Sequence, residues 1–251
     1  MLEGKDADGA YRYMRRRYKH LKRKEAREDY ASTRDRLVRF VKGEETVMDM
    51  MGPNAPTVGS DAMPAPYRMD LALTYRCQND CGHCYNATKE KKELSVREWS
   101  SIIDKLWDVG VPHIVFTGGE PTLRDDLTVI LSHAEDIGQV TGLITDGLSF
   151  NNPGYLDQLL QTGLDHILIT LAPEKSDSWT ALQLLIAADI FVSVHQTLTL
   201  KNALEVGDTI HKLAQLGIKS LSLTTTDTAL QNTLIDLRNL AASLQLSLTW
   251  D

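Results

Sequence analysis

The chain has 251 residues, a formal net charge of −7, and ordinary fractions of apolar and charged residues, 42% and 24%. This length fits one large domain, or one domain with an extension. No apolar run approaches the roughly 20 residues that a membrane span needs, and the acidic bulk of the chain gives no support for a nucleic-acid substrate. No signal peptide is recognisable, so we expect a cytoplasmic protein in a reducing compartment.

The N-terminal region is basic, in contrast to the rest of the chain. Residues 1–45 contain 14 Lys and Arg against 9 Asp and Glu, a net charge of +5. The pattern predicts a helix over residues 10–42 that ends at Gly43. The apolar face of this helix consists of Tyr11, Met14, Tyr18 and Leu21. We expect a basic N-terminal helical extension over residues 1–51, which either docks onto the main domain or binds a partner such as a leader peptide.

The segment that follows is rich in proline and glycine. Residues 52–66 contain four prolines and two glycines. These residue types interrupt regular elements and favour turns and extended chain. The composition predicts a linker, or a strap across the surface, before a main domain over residues 67–251.

From residue 67 onward, a unit of one strand and one helix repeats. Short apolar strands begin near positions 69, 113, 139, 165, 190, 218 and 245. The helices between them carry end signals, for example the capping box that Ser95 and Glu98 predict. Such alternation is typical of parallel strands with right-handed crossovers. A closed eight-stranded barrel needs about 250 residues, so the shorter main domain predicts an open barrel of six or seven strands, with a doubly wound sheet as the alternative.

All three cysteines of the chain lie within eight positions, as Cys77, Cys81 and Cys84. Thiolates are the usual ligands of iron–sulfur clusters, which commonly take four of them. Three thiolates leave one iron open to bind and activate a small molecule. The alternative is a zinc site that adds His83 or His113 to the cysteines. A disulfide framework is not expected, because an odd number of cysteines cannot pair fully.

A second motif follows the next predicted strand. Gly118, Gly119 and Glu120, followed by a proline, come directly after the strand at residues 113–117. The carboxyl ends of parallel strands meet at one end of the sheet, so this motif and the cysteines are expected to converge there. Two adjacent glycines let the backbone approach a ligand closely.

The two motifs together resemble the signature of the radical S-adenosylmethionine (SAM) superfamily, over roughly residues 67–223. The resemblance implies a partial (β/α)6-type radical SAM barrel with an N-terminal helical extension. It also implies a [4Fe–4S] cluster held by Cys77, Cys81 and Cys84, with SAM bound to the fourth iron. In that chemistry SAM is cleaved reductively, and a 5′-deoxyadenosyl radical abstracts hydrogen from a substrate. The expected substrate is a peptide, a cofactor precursor or another metabolite, and the expected electron donor is of the flavodoxin or ferredoxin type.

The resemblance also assigns cofactor-binding positions near the two motifs. Gly118, Gly119 and Glu120 stand where the family binds the methionyl amino group of SAM. His83 stands where relatives place an aromatic residue whose backbone contacts the adenine. These four residues are therefore expected to bind the cofactor.

Further positions lie at the ends of later strands. Asp146 stands where relatives often have asparagine, and we expect it to contact ribose or substrate, or to act as a catalytic acid or base. Thr170 keeps a hydroxyl for the carboxylate or ribose of SAM. On the fifth strand, Val194 is expected to pack on the adenine with Gln196 nearby. Strand alternation places His195 on the other face, where a surface or helix-facing position is expected.

The sequence resembles the core that the molybdenum-cofactor and peptide-maturase branch of the superfamily shares. No cysteine follows Cys84, so we expect no auxiliary cluster of the kind that many of those relatives carry in a C-terminal extension. Two other functions stay open. One is an iron–sulfur and SAM-binding partner subunit without catalysis, and the other is a zinc-stabilised interaction protein that uses the basic helix.

Overall fold

The computed structural model describes residues 6–17, 22–44, 65–84, 92–188 and 190–249. The chain divides into two compact units, residues 1–66 and residues 67–251. Most of the predicted linker over residues 52–66 lies outside the described residues. In the described ranges, no helix combines the length and the apolar character that crossing a membrane would take.

The described part of the first unit contains two helices, α1 (Ala7–Arg17) and α2 (Arg23–Val41). Asp8 in α1 forms an ion pair with Arg23 of α2 at 2.9 Å. Fifteen residues of one continuous helix would hold these side chains about 22 Å apart, so α1 and α2 are not one continuous helix. The prediction of a single helix over residues 10–42 is therefore wrong. Composition did not reveal the break, because both helices carry the same mixture of charged and apolar residues.

Other expectations for this unit have mixed outcomes. Helix α2 ends just before Gly43, which adopts a left-handed backbone with φ of +74°, as predicted. Tyr11 of the predicted apolar face is half-buried. The side chain of Met14, together with Tyr18 and Leu21, lies outside what the structure describes.

The second unit alternates strands and helices from β1 to β7. Its strands are β1 (Arg68–Thr74), β2 (His113–Gly118), β3 (Val140–Thr145), β4 (His166–Thr170), β5 (Phe191–Leu198), β6 (Ser220–Thr225) and β7 (Ser247–Leu248). Its helices are α3 (Val96–Asp108), α4 (Leu127–Asp136), α5 (Tyr155–Leu160), α6 (Ser176–Ala187), α7 (Val206–Gln215) and α8 (Gln231–Ser243). Every strand begins within two residues of its predicted position.

The seven strands form one parallel sheet in which neighbours in space are neighbours in sequence, from β1 to β7. A doubly wound sheet would instead reverse its strand order at a switch point. The consecutive order therefore supports the open partial barrel over the doubly wound alternative. The predicted capping box at the start of α3 is also confirmed, with Glu98 accepting from the Ser95 amide at 2.8 Å.

The two faces of the sheet differ in chemistry. The face that belongs to the hydrophobic core carries fully buried residues such as Ile114, Phe116, Ile167 and Ile169. The opposite face is polar along β5 and β6. There, three paired rows run from the amino to the carboxyl end: Ser193 with Ser220, His195 with Ser222, and Thr197 with Thr224. The helices thus cover the apolar face, and the polar face lines the inside of the open barrel.

Candidate active site

A cavity of about 930 Å³ lies at the carboxyl ends of the strands, and loops after β1 to β5 contribute to its lining. This volume is at the upper end of the range for small-molecule sites. The structure brings most predicted site residues to this cavity: Cys77, Cys81, His83, Cys84, Gly118, Gly119, Glu120, Asp146, Thr170 and Gln196. Val194 is the exception, because it is fully buried in the hydrophobic core and is not part of the lining.

The cysteines lie on one wall of the cavity, in the segment that we call the cysteine loop, residues 75–84. The Asn79 amide donates to the sulfur of Cys77 at 3.4 Å, and the Cys84 amide donates to the Cys81 carbonyl at 3.0 Å. Burial is the largest cause that raises the pKa of the Cys77 and Cys81 thiols above the ordinary value. In the described ranges, no three His, Cys, Asp or Glu side chains form a ready-made metal site. The donor set nevertheless fits three corners of an iron–sulfur cluster, since three soft ligands share one loop beside an open cavity.

One of the two histidines proposed for a zinc site is too far from the cysteines to be a ligand. His113 is the first residue of β2 and pairs with Arg68 at the start of β1. The cysteine loop follows the other end of β1, about 20 Å away along the strand. His113 therefore cannot share a metal ion with the cysteines, whereas His83 lines the cavity beside Cys84.

The two glycines hold the turn after β2 against the cysteine loop. The Gly119 amide donates to the carbonyl of Thr74 at 2.7 Å, and the next amide donates to the carbonyl of Arg76 at 2.8 Å. A Cβ on Gly118 would lie 2.2 Å from the Thr74 oxygen, and one on Gly119 would lie 2.2 Å from the Arg76 oxygen. The sequence predicted close approach to a ligand. The structure shows close approach to the backbone of the chain itself, which fixes the two motifs against each other.

Glu120 is buried, with 1% of its surface exposed. One carboxylate oxygen accepts from the amide and hydroxyl of Thr122 at 3.0 and 2.6 Å and from the Thr145 hydroxyl at 2.7 Å. The other oxygen accepts from the Asp146 amide at 2.8 Å. Burial, followed by the charge of Asp146, raises the pKa of Glu120 to about 7, although these hydrogen bonds oppose the rise. The site thus holds a desolvated carboxyl group that titrates near neutral pH.

Asp146 follows β3 and contacts the cysteine loop directly. One of its oxygens accepts from the side-chain amides of Gln78 at 2.7 Å and Asn79 at 2.6 Å. The other oxygen accepts from the Leu148 amide at 2.9 Å. On the far side, the ammonium of Lys175 donates to the side-chain oxygen of Asn79 at 2.6 Å. Sequence reasoning missed Gln78, Asn79 and Lys175, because no local spacing signals a contact between loops so far apart in the chain.

Two adjacent polar residues of β5, His195 and Gln196, line the cavity, and strand alternation places their side chains on opposite faces of the strand. Gln196 is 2% exposed, and its side-chain oxygen has no hydrogen-bond partner in the structure. His195 also lines the cavity, where its ring contacts the hydroxyls of Ser222 at 3.0 Å and Thr197 at 3.2 Å. The expectation of a surface or helix-facing position for His195 is therefore wrong, because residues on the inner face of an open barrel face the cavity.

A buried arginine supports the strand that leads into the cysteine loop. Arg124 donates to the carbonyls of Leu73 and Leu94, both at 3.0 Å, and pairs with Asp126 at 2.8 Å. Its side chain is 3% exposed. No pattern in the sequence marks this arginine, since it stands alone in a polar turn.

The model of the radical SAM superfamily matches residues 71–172. That range reaches from within β1 to just past β4 and contains both motifs, so the resemblance that rested on the two motifs is confirmed.

Among curated proteins, PqqA peptide cyclase of Rhizobium meliloti (strain 1021) is 36% identical over 118 residues. The match covers 45% of this chain and 31% of that protein, so this chain matches less than a third of the length of that relative. Among solved structures, Streptococcus suis SuiB bound to precursor peptide SuiA superposes with a TM-score of 0.61 at 15% identity, covering 90% of this chain and 51% of that chain. Native anSMEcpe with bound AdoMet and Kp18Cys peptide gives a TM-score of 0.55 at 14% identity, covering 63% and 51% of the two chains. These structural likenesses confirm the partial-barrel fold.

Proposed function

We propose that this protein is a radical SAM enzyme that acts on a peptide. The observation that carries the proposal is the convergence of the cysteine loop and the Gly118–Glu120 turn on one cavity, tied by backbone hydrogen bonds of 2.7 and 2.8 Å. The match of residues 71–172 to the superfamily model supports the same conclusion.

The thiolates of Cys77, Cys81 and Cys84 would hold a [4Fe–4S] cluster beside the cavity that would take SAM. When bound and reduced, the cluster and SAM supply a 5′-deoxyadenosyl radical that abstracts hydrogen from the substrate. A one-electron donor of the flavodoxin or ferredoxin type delivers the electron. Because the thiols must stay reduced until the cluster assembles, we place the protein in the cytoplasm.

The protein groups around the cavity bind and orient SAM. Glu120 provides a buried carboxyl group for the methionyl ammonium, and a cation beside it would favour its ionised form. Gln196 lines the cavity with its side chain on the same strand face as Val194, so we assign its backbone to the adenine. Thr170 lines the cavity between them and suits the carboxylate or ribose. His83 lies next to Cys84 in the lining of the cavity, and we assign it to the adenine.

The remaining wall of the cavity is available to the substrate. It carries polar and charged side chains from β5, β6 and the loop after β5: His195, Thr197, Lys201, Glu205 and Thr224. Groups of this kind recognise the amides and charged side chains of a peptide. The similarity to PqqA peptide cyclases points to the same substrate class.

The proposal is tested by anaerobic reconstitution with iron and sulfide, chemical reduction and addition of SAM. We expect 5′-deoxyadenosine from the intact protein and none from Cys77→Ala, Cys81→Ala or Cys84→Ala. With a deuterated peptide substrate, deuterium should appear in the 5′-deoxyadenosine. A loaded cluster and bound SAM without any 5′-deoxyadenosine would instead favour the partner-subunit function, and zinc without sulfide would favour the interaction protein.

A further inference from the structure

A single carboxylate connects the loop after β3 to the cysteine loop. Asp146 is 8% exposed, and one of its oxygens accepts two hydrogen bonds from the cysteine loop, from Gln78 at 2.7 Å and Asn79 at 2.6 Å. These donors lie between the first two cysteines, Cys77 and Cys81. The segment that sets the separation of these two thiols is therefore fastened to β3.

We propose that Asp146 is a positioning residue that fixes the cysteine loop in place through Gln78 and Asn79, rather than a catalytic acid or base. The proposal deepens the proposed function and rests on it, because positioning the loop matters to the reaction only when the cysteines hold the cluster. Both oxygens of Asp146 already accept from the protein, one from the two loop amides and the other from Leu148. The side chain is thereby held as an acceptor for the loop.

The chemistry of the donors explains why a carboxylate suits this position. Three N–H groups point at the side chain of Asp146, and a carboxylate offers acceptors on both oxygens. An asparagine has one acceptor oxygen and one donor group. If its oxygen accepts from Leu148, its amino group faces the amino groups of Gln78 and Asn79, and both bonds to the cysteine loop are lost.

The hydrogen bonds of Asp146 connect to further residues on both sides. Lys175, from the loop after β4, donates to the side-chain oxygen of Asn79 at 2.6 Å and so orients that amide toward Asp146. The amide of Asp146 donates to Glu120 at 2.8 Å. The chain of contacts from Glu120 through Asp146 and Asn79 to Lys175 joins the loops after β1, β2, β3 and β4.

The first test uses the full-length, metal-free protein and hydrogen exchange of the backbone amides. In Asp146→Asn, we expect exchange within residues 75–84 to speed up by about tenfold, the effect of losing hydrogen bonds to a charged group. Amides in β2 and β5 should exchange as in the wild type. Asp227→Asn is the matched control, because Asp227 accepts from the amide two residues on, at 2.9 Å, in the same local turn after β6.

A rescue variant separates positioning from general loss of stability or charge. In Asn79→Asp combined with Asp146→Asn, the new amide at 146 donates to the new carboxylate at 79, and Lys175 keeps its acceptor. The net charge is unchanged, so exchange within the loop should return toward the wild-type rate. The same order is expected after reconstitution: iron loss to a chelator about tenfold faster in the single variant, slower again in the double variant, with the EPR signal of the reduced cluster restored to its wild-type shape.

The outcomes distinguish this proposal from the proposed function. Exchange in Asp146→Asn that matches Asp227→Asn would overturn the positioning role, even if the wild type forms 5′-deoxyadenosine. Faster exchange in all strands without rescue would also overturn it. Faster exchange confined to the loop, with rescue, would support it even in a protein that never cleaves SAM.

Discussion

The two ends of the parallel sheet accommodate buried polar groups differently. At the carboxyl end, Glu120 accepts four hydrogen bonds, none longer than 3.0 Å. At the amino end, the rings of His113 and His166 contact edge to face with centroids 5.0 Å apart, and a buried nitrogen of His113 has no hydrogen-bond partner. Burial is the largest cause of the pKa shifts at both ends. It raises the pKa of Glu120 and lowers the pKa of both histidines. At the carboxyl end, the buried polar groups are therefore satisfied by hydrogen bonds. At the amino end, burial instead favours the neutral form of the two histidines.

The largest loss of stability is expected from a substitution at the carboxyl end of the sheet. Arg124→Met removes the donors to the carbonyls of Leu73 and Leu94 and leaves Asp126 without its buried partner. We expect a loss of about 1–3 kcal/mol in the free energy of unfolding for each of the two carbonyls left without its donor. Asp126 is itself 34% exposed, so the loss of its ion pair adds little. Urea denaturation measures it.

The matched change at the amino end is Arg68→Met. Arg68 pairs with Asp70 at 2.6 Å, but both side chains are about one-third or more exposed to solvent. Exposed ion pairs contribute about 0–1 kcal/mol, so this variant should stay close to the wild type. Equal losses in the two variants would show that the ends do not differ in this way.

A smaller effect is expected from adding a methyl group to Gly119. Its Cβ would lie 2.2 Å from the backbone oxygen of Arg76, which cannot move without separating the two motifs. We expect Gly119→Ala to cost about 1–3 kcal/mol and to lower the iron bound per chain after reconstitution.

Gly142→Ala is the control for that prediction. Its Cβ would lie 2.3 Å from the ring of His166, a side chain that can turn aside. The iron content of this variant should equal that of the wild type. A similar loss of iron in both variants would mean that the Gly119 contact has no special effect on the cysteine loop.

The smallest effect is a pH dependence that originates at the amino end. The pKa of His113 is lowered by burial and by Arg68, against the opposing charges of Asp70 and Asp165. The pKa of His166 is lowered by burial, His113 and Arg68, with Asp165 opposing. Because the folded state keeps these rings neutral, the unfolded state binds more protons below about pH 6.5. Stability should therefore fall as the pH decreases through that value, by at most about 1.4 kcal/mol per pH unit for each ring.

The check compares unfolding free energies at pH 7.5 and pH 5.5 in wild type and in His166→Phe. The variant removes one ring that resists protonation, so its stability should fall less on acidification. His211→Gln, which changes an exposed histidine, serves as the control and should follow the wild type. An unchanged pH dependence in His166→Phe would contradict the account of the amino end.

The parts of the molecule that sequence reasoning could predict are those with local or periodic signals. The alternation of strands and helices located all seven strands, and the spacing of Cys77, Cys81 and Cys84 identified the loop. The position of both motifs after their strands was enough to bring them to one cavity.

What the sequence could not predict depends on contacts between distant segments. Asp146 meets Asn79 across 67 residues, and Lys175 meets Asn79 across 96. Neither distance leaves a pattern in the chain. Val194 is a further example. Strand alternation predicts that Val194 and Gln196 share one face of β5, but it does not predict which face packs against the helices. The separation of α1 from α2 was missed because both helices have similar composition.

The most direct test of the central claim is the metal content and EPR spectrum of the anaerobically reconstituted protein. We expect four irons and four sulfides per chain, and an EPR signal of a reduced [4Fe–4S] cluster that changes when SAM is added. Both should be lost when Cys77, Cys81 and Cys84 are replaced by alanine together. Retention of the cluster in that triple variant, or zinc in place of iron and sulfide in the wild type, would contradict that claim.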